Sequence, residues 1–292
     1  MKPREVLFIA GKDRMASVQV RCVDIASRLG CDYLLNVHDL KDVPNRYAAY
    51  FCVKPDLTLD GVKRLSKRGK IIWDIIDGGP PPDFVSIYLA STNIASELFA
   101  SYGRIQVVPH HHCNFGGRPN SPHQRTPAWI GARHWEPKLA GFRYDVHFVE
   151  GSQQAEVVSA HRRMGIGLNF RCKSGFMERT WPALLHLAIS PQKRLRLERD
   201  LYNFHLAVNS GIKLINCLGF GVPSVSGDEP AYCEIDNKCT YFSSPSQCAR
   251  KVRALMHDDA LYMQLRKHCL REAPKYHIDA IVQKYRKLIA DL

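Results

Sequence analysis

The sequence predicts an α/β fold of two domains, each a parallel sheet with helices on both faces, meeting across a cleft. Three observations predict it. The short strand segments are apolar throughout rather than alternating, as in strands covered on both faces. They alternate with segments of helical period, several of which stop at glycine. The alternation breaks once, at the aperiodic stretch HHHCNFGGRPNSPHQRTP (110–127), and then restarts.

VLFIA (6–10) reads as a buried first strand ending at Gly11, and SVQVRCVDIASRLG (17–30) as a helix that stops at Gly30. DYLLNV (32–37) and YAAYFCV (47–53) are strands, and LTLDGVKRLSKRG (57–69) is a helix. KIIWDII (70–76) and VSIYLAS (85–91) are strands again. TNIASELFASYG (92–103) is a helix with Thr92 as its N-cap, and IQVVP (105–109) closes the series. In the second series AWIGA (128–132), YDVHFVE (144–150) and IGLNF (166–170) are strands, with SQQAEVVSAHRRMG (152–165) a helix before the third. KRLRLERDLYNFHLAVN (193–209) is a basic helix. After NSGIKLINCLGFGVP (209–223) come the strand PSVS (223–226) and the acidic turn GDEPAYCEI (227–235). Helices through SQCARKVRALMHD, DALYMQLRKHCLREA and YHIDAIVQKYRKLIADL follow, the last expected to cross back to the first domain. The domains are therefore 1–112 and 128–292, joined by a hinge at 113–127.

At 292 residues the chain is long enough for two cores, and 45% hydrophobic with 24% charged residues is a globular composition. No apolar run approaches the roughly 20 residues that span a bilayer. The lead MKPREVLFIAG has an apolar patch too short for a signal-peptide core and no small-residue cleavage site, so a cytoplasmic protein is expected. The 10 cysteines show no CxxC spacing and read as buried hydrophobes or free thiols. Adjacent residues of HHHC (110–113) point to opposite faces when extended, which argues against a shared metal. Lys and Arg number 41 against 28 Asp and Glu, giving +13. Such a balance suits a nucleotide diphosphate, a nucleic acid or an anionic membrane surface as partner.

NSGIKLINCLGFGVP places Lys213 in the first turn of an apolar helix that Ser210 or Asn209 can cap. A cation is disfavoured at a helix N-terminus, so Lys213 calls for an anionic ligand unless it is a solvated surface lysine. Asn216 lies on the same face, and Gly221 and Pro223 stop the helix.

With its continuation PSVSGDEPAYCEI, this segment resembles the donor-binding segment of GT-B glycosyltransferases. It is especially similar to bacterial surface-glycan members with a K-L-[FI]-N helix, then A-G-V-P and an E-x-A-Y turn. WDIID (73–77), LASTNIASELFASYG with IQVVPHHHCNF (89–115) and WIGARHWEPKL (129–139) resemble further parts of that family, in the expected order. The resemblance implies two Rossmann-like domains facing a cleft, a nucleotide-sugar donor in the C-terminal one, and no obligatory metal. It also implies that Arg133 and Lys138 hold the donor diphosphate together with Ser210, Gly211 and Lys213. Asn216 stands where many retaining members have the second of two glutamates, which leaves inverting and retaining outcomes open. Glu229 either binds donor hydroxyls or is a solvated turn acid, and Arg171 and Lys173 add charge to the donor pocket.

The N-terminal domain is the expected acceptor side, with Arg14, Ser17, Arg21 and His110 facing the cleft. Asp13 is the first choice for a general base and Asp77 the second, with Asp74 a rival; each also has a plain alternative as a helix cap or an arginine partner. The expected activity is transfer of a sugar to a hydroxyl acceptor on a glycan, with peripheral contact to an anionic membrane. One alternative is transfer to hydroxymethylated pyrimidines in duplex DNA. Another is a sugar-nucleotide or nucleic-acid binding protein without turnover.

Overall fold

The computed structural model describes residues 1–11, 16–76, 82–149, 154–171, 201, 203–204, 206–235 and 240–292. The first half carries strands β1 (Val6–Ala10), β2 (Asp32–Leu34), β3 (Ala49–Val53), β4 (Lys70–Asp74), β5 (Ile87–Ala90) and β6 (Ile105–Val107). They form one six-stranded sheet in the order β2-β1-β3-β4-β5-β6, every pair parallel. Between β1 and β2 runs helix α1, in which a π-helical stretch, Gln19–Val23, separates α-helical Ala16–Val18 from Asp24–Leu29. Gly30 ends it with φ of 71°, the left-handed stop expected of a glycine there. Helices α2 (Leu59–Leu65) and α3 (Asn93–Leu98) follow, each capped by the threonine before it. Both are shorter than their apolar periods suggest; a 3₁₀ turn, Ala100–Tyr102, finishes the second segment.

The second half carries β7 (Pro127–Gly131), β8 (Asp145–Phe148), β9 (Ile166–Asn169), β10 (Ser224–Ser226) and β11 (Thr240–Phe242). These form a separate five-stranded parallel sheet in the order β11-β10-β9-β7-β8. Its helices among the described residues include α4 (Gln154–Arg162), α5 (Ile212–Phe220), α6 (Pro230–Ile235), α7 (Pro245–His257) and α8 (Asp259–Glu272), while most of the helix read at 193–209 lies outside the described residues. Two features depart from the sequence reading. Strand β11 is only three residues long and carries no run to betray it. The acidic turn is in part a helix: Pro230 presets its first turn, and the Glu229 carbonyl accepts the N–H groups of Tyr232 and Cys233 at 2.9 and 3.1 Å.

Side chains on β1 alternate between two cores, as the pleat requires: Val6, Phe8 and Ala10 on one face, Leu7 and Ile9 on the other. The first of these cores is completed from the far end of the chain. Helix α9 (Ile278–Ala290) contributes Ile278, Ile281, Val282, Tyr285, Leu288 and Ile289, an apolar stripe at helical spacing. Phe8 and Phe51 stack at 4.6 Å and Tyr285 leans over both. The last helix therefore packs on the first sheet.

The stretch between the sheets has no helix or strand from 113 to 126, yet it is tied down. His110 to Asn114 and Asn120 are buried. Asn216 accepts the Cys113 N–H at 2.9 Å, Asn114 Nδ2 donates to the Gly219 carbonyl at 2.7 Å, and the Asn120 N–H reaches the Phe220 carbonyl at 2.9 Å. A Cβ on Gly219 would lie 2.5 Å from the His112 ring, so glycine is what lets linker and helix touch. A second tie joins the halves elsewhere: the Glu234 carboxylate on α6 accepts the N–H groups of Asn93 and Ile94 at 2.6 and 3.1 Å, at the start of α3. Among the described residues no helix is long and apolar enough to cross a membrane.

Candidate functional site

A cavity of about 290 Å³ opens where the two halves meet. Its walls are the carboxyl ends of β7 and β8, the starts of α4 and α5, Cys113 from the linker, and one side of α1. Parallel α/β sheets bind ligands at this end of their strands, where the following helices present their N-termini. The lining is mostly apolar: Val20, Ile130, Val149, Val157 and Ile212 among others. Six polar side chains stand out against it, Lys213 and Asn216 on α5, Gln19 and Asp24 on α1, and Gln154 and His161 on α4, the His161 ring held neutral by its burial.

Lys213 is the unusual one. Its Nζ is buried and, among the described residues, has no hydrogen-bond partner. It lies 4.3 Å from the centre of the Trp129 ring, whose own N–H is engaged by the Phe170 carbonyl at 3.0 Å. A Cβ on Gly131 would come within 2.9 Å of the amine, so that glycine makes room for it. Burial, then the nearby Arg171 cation, push the amine down to about 7, with Glu229 pulling the other way. An ammonium held by one aromatic face and no acceptor is half-solvated at best, which is costly unless an anion completes it.

Helix α5 begins in a way that suits such an anion. Gly211 precedes it with φ of 61°, and no side chain caps its first N–H groups. The expected cap from Ser210 or Asn209 is absent because the left-handed glycine turns the chain away and Asn209 is used elsewhere. Ser210 is buried beside it. The Asn209 amide donates to Glu229 at 2.8 Å, and Arg171 pairs with the same carboxylate. Glu229 is therefore a buried, doubly held acid rather than a solvated one; burial raises its pKa while Arg171 and Lys213 oppose that.

The other expected residues fall apart from this centre. Arg133 is exposed and lies over the Phe148 ring at 4.2 Å, and Lys138 is exposed; neither lines the cavity. Ser17 is half-buried on α1, one residue from the lining residue Ala16. Arg21 is only 1% exposed: its Nε donates to Asp74 at 2.6 Å and Nη1 to the Val108 carbonyl at 2.5 Å. It is placed as a brace between β4 and the chain leaving β6, and the same pair uses up Asp74. His110 is buried beside the Ser210 backbone, with no well-aligned hydrogen bond to either ring nitrogen among the described residues, and burial, with Arg21 second, keeps it neutral. Asp13, Arg14, Asp77 and Lys173 lie outside the described residues. Among the described residues no three His, Cys, Asp or Glu side chains gather as a metal set.

Asp24 is the residue that the sequence reading passed over. It sits in a helix full of ordinary polar residues, and only the π turn singles it out. That turn brings Gln19 and Asp24, five apart, onto one side, where Gln19 Nε2 donates to Asp24 Oδ1 at 2.6 Å. The other carboxylate oxygen is 3.5 Å from His111 Nε2. Burial lifts this carboxyl to about 6, against the opposing pull of Gln19 and Arg28.

No protein-family model matches the sequence, and no curated protein matches it. Solved structures do. HepE of Anabaena, in complex with UDP-glucose, superposes with a TM-score of 0.61 at 8% identity, covering 98% of this chain and 99% of that one. WaaG, a glycosyltransferase involved in lipopolysaccharide biosynthesis, gives 0.52 at 10% identity over 97% and 99%. The pneumococcal O-GlcNAc transferase GtfA, in complex with UDP and GlcNAc, gives 0.53 at 12% identity over 83% of this chain and 56% of its own. At such identities the likeness is one of architecture, and two parallel sheets facing each other over a cavity, matched along nearly the whole chain, are the GT-B fold.

Proposed function

We propose that the chain is a nucleotide-sugar-dependent glycosyltransferase, moving a sugar from a uridine diphosphate donor to a hydroxyl of a glycan. The observation that carries this reading is the buried, unpartnered amine of Lys213 beside the uncapped start of α5. A diphosphate there would meet the partial positive charge of the helix end and one full charge. As the sugar leaves, negative charge grows on that diphosphate, and a preorganised cation in an apolar cavity stabilises it more than water does. Arg171 and Glu229 stiffen the loop behind the amine, with Asn216 anchoring the linker on the same helix. The solved structures that share the fold support the choice of nucleotide: HepE was captured with UDP and with UDP-glucose, and GtfA with UDP.

Calorimetric titration with UDP tests the reading. The wild type should bind, and Lys213→Ala should lose a charge-assisted contact worth ~1.5–3 kcal/mol, or roughly 10- to 100-fold in affinity. Equal affinity in both proteins would refute the assignment of Lys213, and no binding of UDP or another nucleoside diphosphate by the wild type would refute the donor.

A further inference from the structure

We propose that Asp24 is the general base that takes the proton of the acceptor hydroxyl. The inference rests on the donor reading above and adds the opposite wall of the cavity. Lys213 stands on α5, from the second half; Asp24 stands on α1, from the first, and both line one space. Among the described lining residues Asp24 is the one carboxylate. The volume, about 290 Å³, is at the small end of ligand pockets, which fits a sugar ring between the two groups rather than a whole nucleotide sugar.

The local geometry suits a base. Gln19 holds one oxygen of Asp24 and fixes the plane of the carboxylate. The second oxygen is 3.5 Å from His111, beyond a good hydrogen bond, so it keeps lone pairs free. His111 does not compete strongly for it. The ring nitrogens of His111 face the carbonyls of His112 and Val20 at 3.1 and 3.0 Å, and burial holds the ring neutral in the ordinary pH range. Arg28 acts on the carboxylate from one turn along its own helix, Cys113 faces it from the linker as a neutral thiol, and Lys213 faces the cavity from α5. A base works best when its pKa is close to the working pH, and burial moves this one up from the ordinary carboxylate range. In the step itself the acceptor oxygen bonds to the anomeric carbon as the bond from that carbon to the phosphate oxygen breaks. The bonding pair leaves on the nucleoside diphosphate, and the hydroxyl proton passes to Asp24.

With no acceptor added, water takes the acceptor's place. The experiment therefore measures UDP release from UDP-glucose, UDP-galactose and UDP-GlcNAc across pH 5 to 8, beside UDP binding by calorimetry, in the wild type and two variants. Asp24→Asn should bind UDP within about twofold of wild type and release it ~100-fold more slowly from the best donor. The wild-type rate should fall on the acid side through an apparent pKa near 6, and the variant should lack that limb. Gln19→Ala keeps the carboxylate but removes the hydrogen bond that lowers its pKa, so the limb should move to higher pH; a merely structural Asp24 would leave the profile in place. An Asp24→Asn rate and acid limb like the wild type's would overturn the inference, as would UDP binding with no release from any of the three donors. Absence of UDP binding in the wild type would instead overturn the donor reading on which it stands.

Discussion

At the scale of the residue, Lys213 is a group whose stability and function pull in opposite directions. Its amine is desolvated without an acceptor, so Lys213→Met should raise the unfolding free energy by about 1 kcal/mol in urea titrations while abolishing tight UDP binding. A loss of stability would mean that the Trp129 contact outweighs the desolvation. The same amine makes affinity depend on pH in a definite sense. Free, it titrates at about 7; beside a diphosphate its pKa must rise, because the charged form is favoured. Between those two values binding takes up a proton, so UDP affinity should fall by up to about tenfold per pH unit above pH 7. Calorimetry in buffers of different ionisation enthalpy reads the proton directly. The position of Lys213 in the first turn was legible from NSGIKL, since a lysine at a helix start is out of place. That it would be buried was not, because Trp129 and Gly131, which shape its niche, lie some 80 residues away on strand β7.

At the scale of the element, α5 is where the chain's separate tasks meet: its start faces the cavity and its end carries the linker. Gly219 is the contact point with His112, and an added methyl has no room. Gly219→Ala should gain helix propensity yet lose about 1–3 kcal/mol to overpacking, read as a lower urea midpoint at unchanged slope. A rise in midpoint would show that the linker yields. Most elements were legible from apolar runs and glycine stops, including the cap at Thr92. Those missed were decided by contacts rather than by pattern. Strand β11 exists because β10 offers it an edge, α6 because Pro230 presets a turn, and the π turn in α1 leaves no mark in an otherwise regular apolar period.

At the scale of the whole molecule, the two parallel sheets could be read from the alternation of strands and helices, and the return of the last helix was also foreseen, whereas the strand order within each sheet was not. The contacts that set one half against the other were not, because they join residues far apart in sequence. Glu234 is the clearest of them, holding the first turn of α3 from the other half. Glu234→Ala should speed hydrogen exchange at the Asn93 and Ile94 amides about five- to tenfold, since an exposed tie of this kind is worth roughly 1 kcal/mol. Unchanged protection at both amides would show that the clasp carries no weight. The return of α9 to the first sheet has a consequence in time. Phe8 and Phe51 leave the ribosome well before the helix that covers them, Ile278–Ala290. At ~5–20 residues per second, more than 200 residues of synthesis keep that apolar face waiting for ~10–50 s. Until then the nascent first half must lean on a chaperone or stay loosely collapsed, and a chain that stalls before α9 emerges would be released with its first core still open.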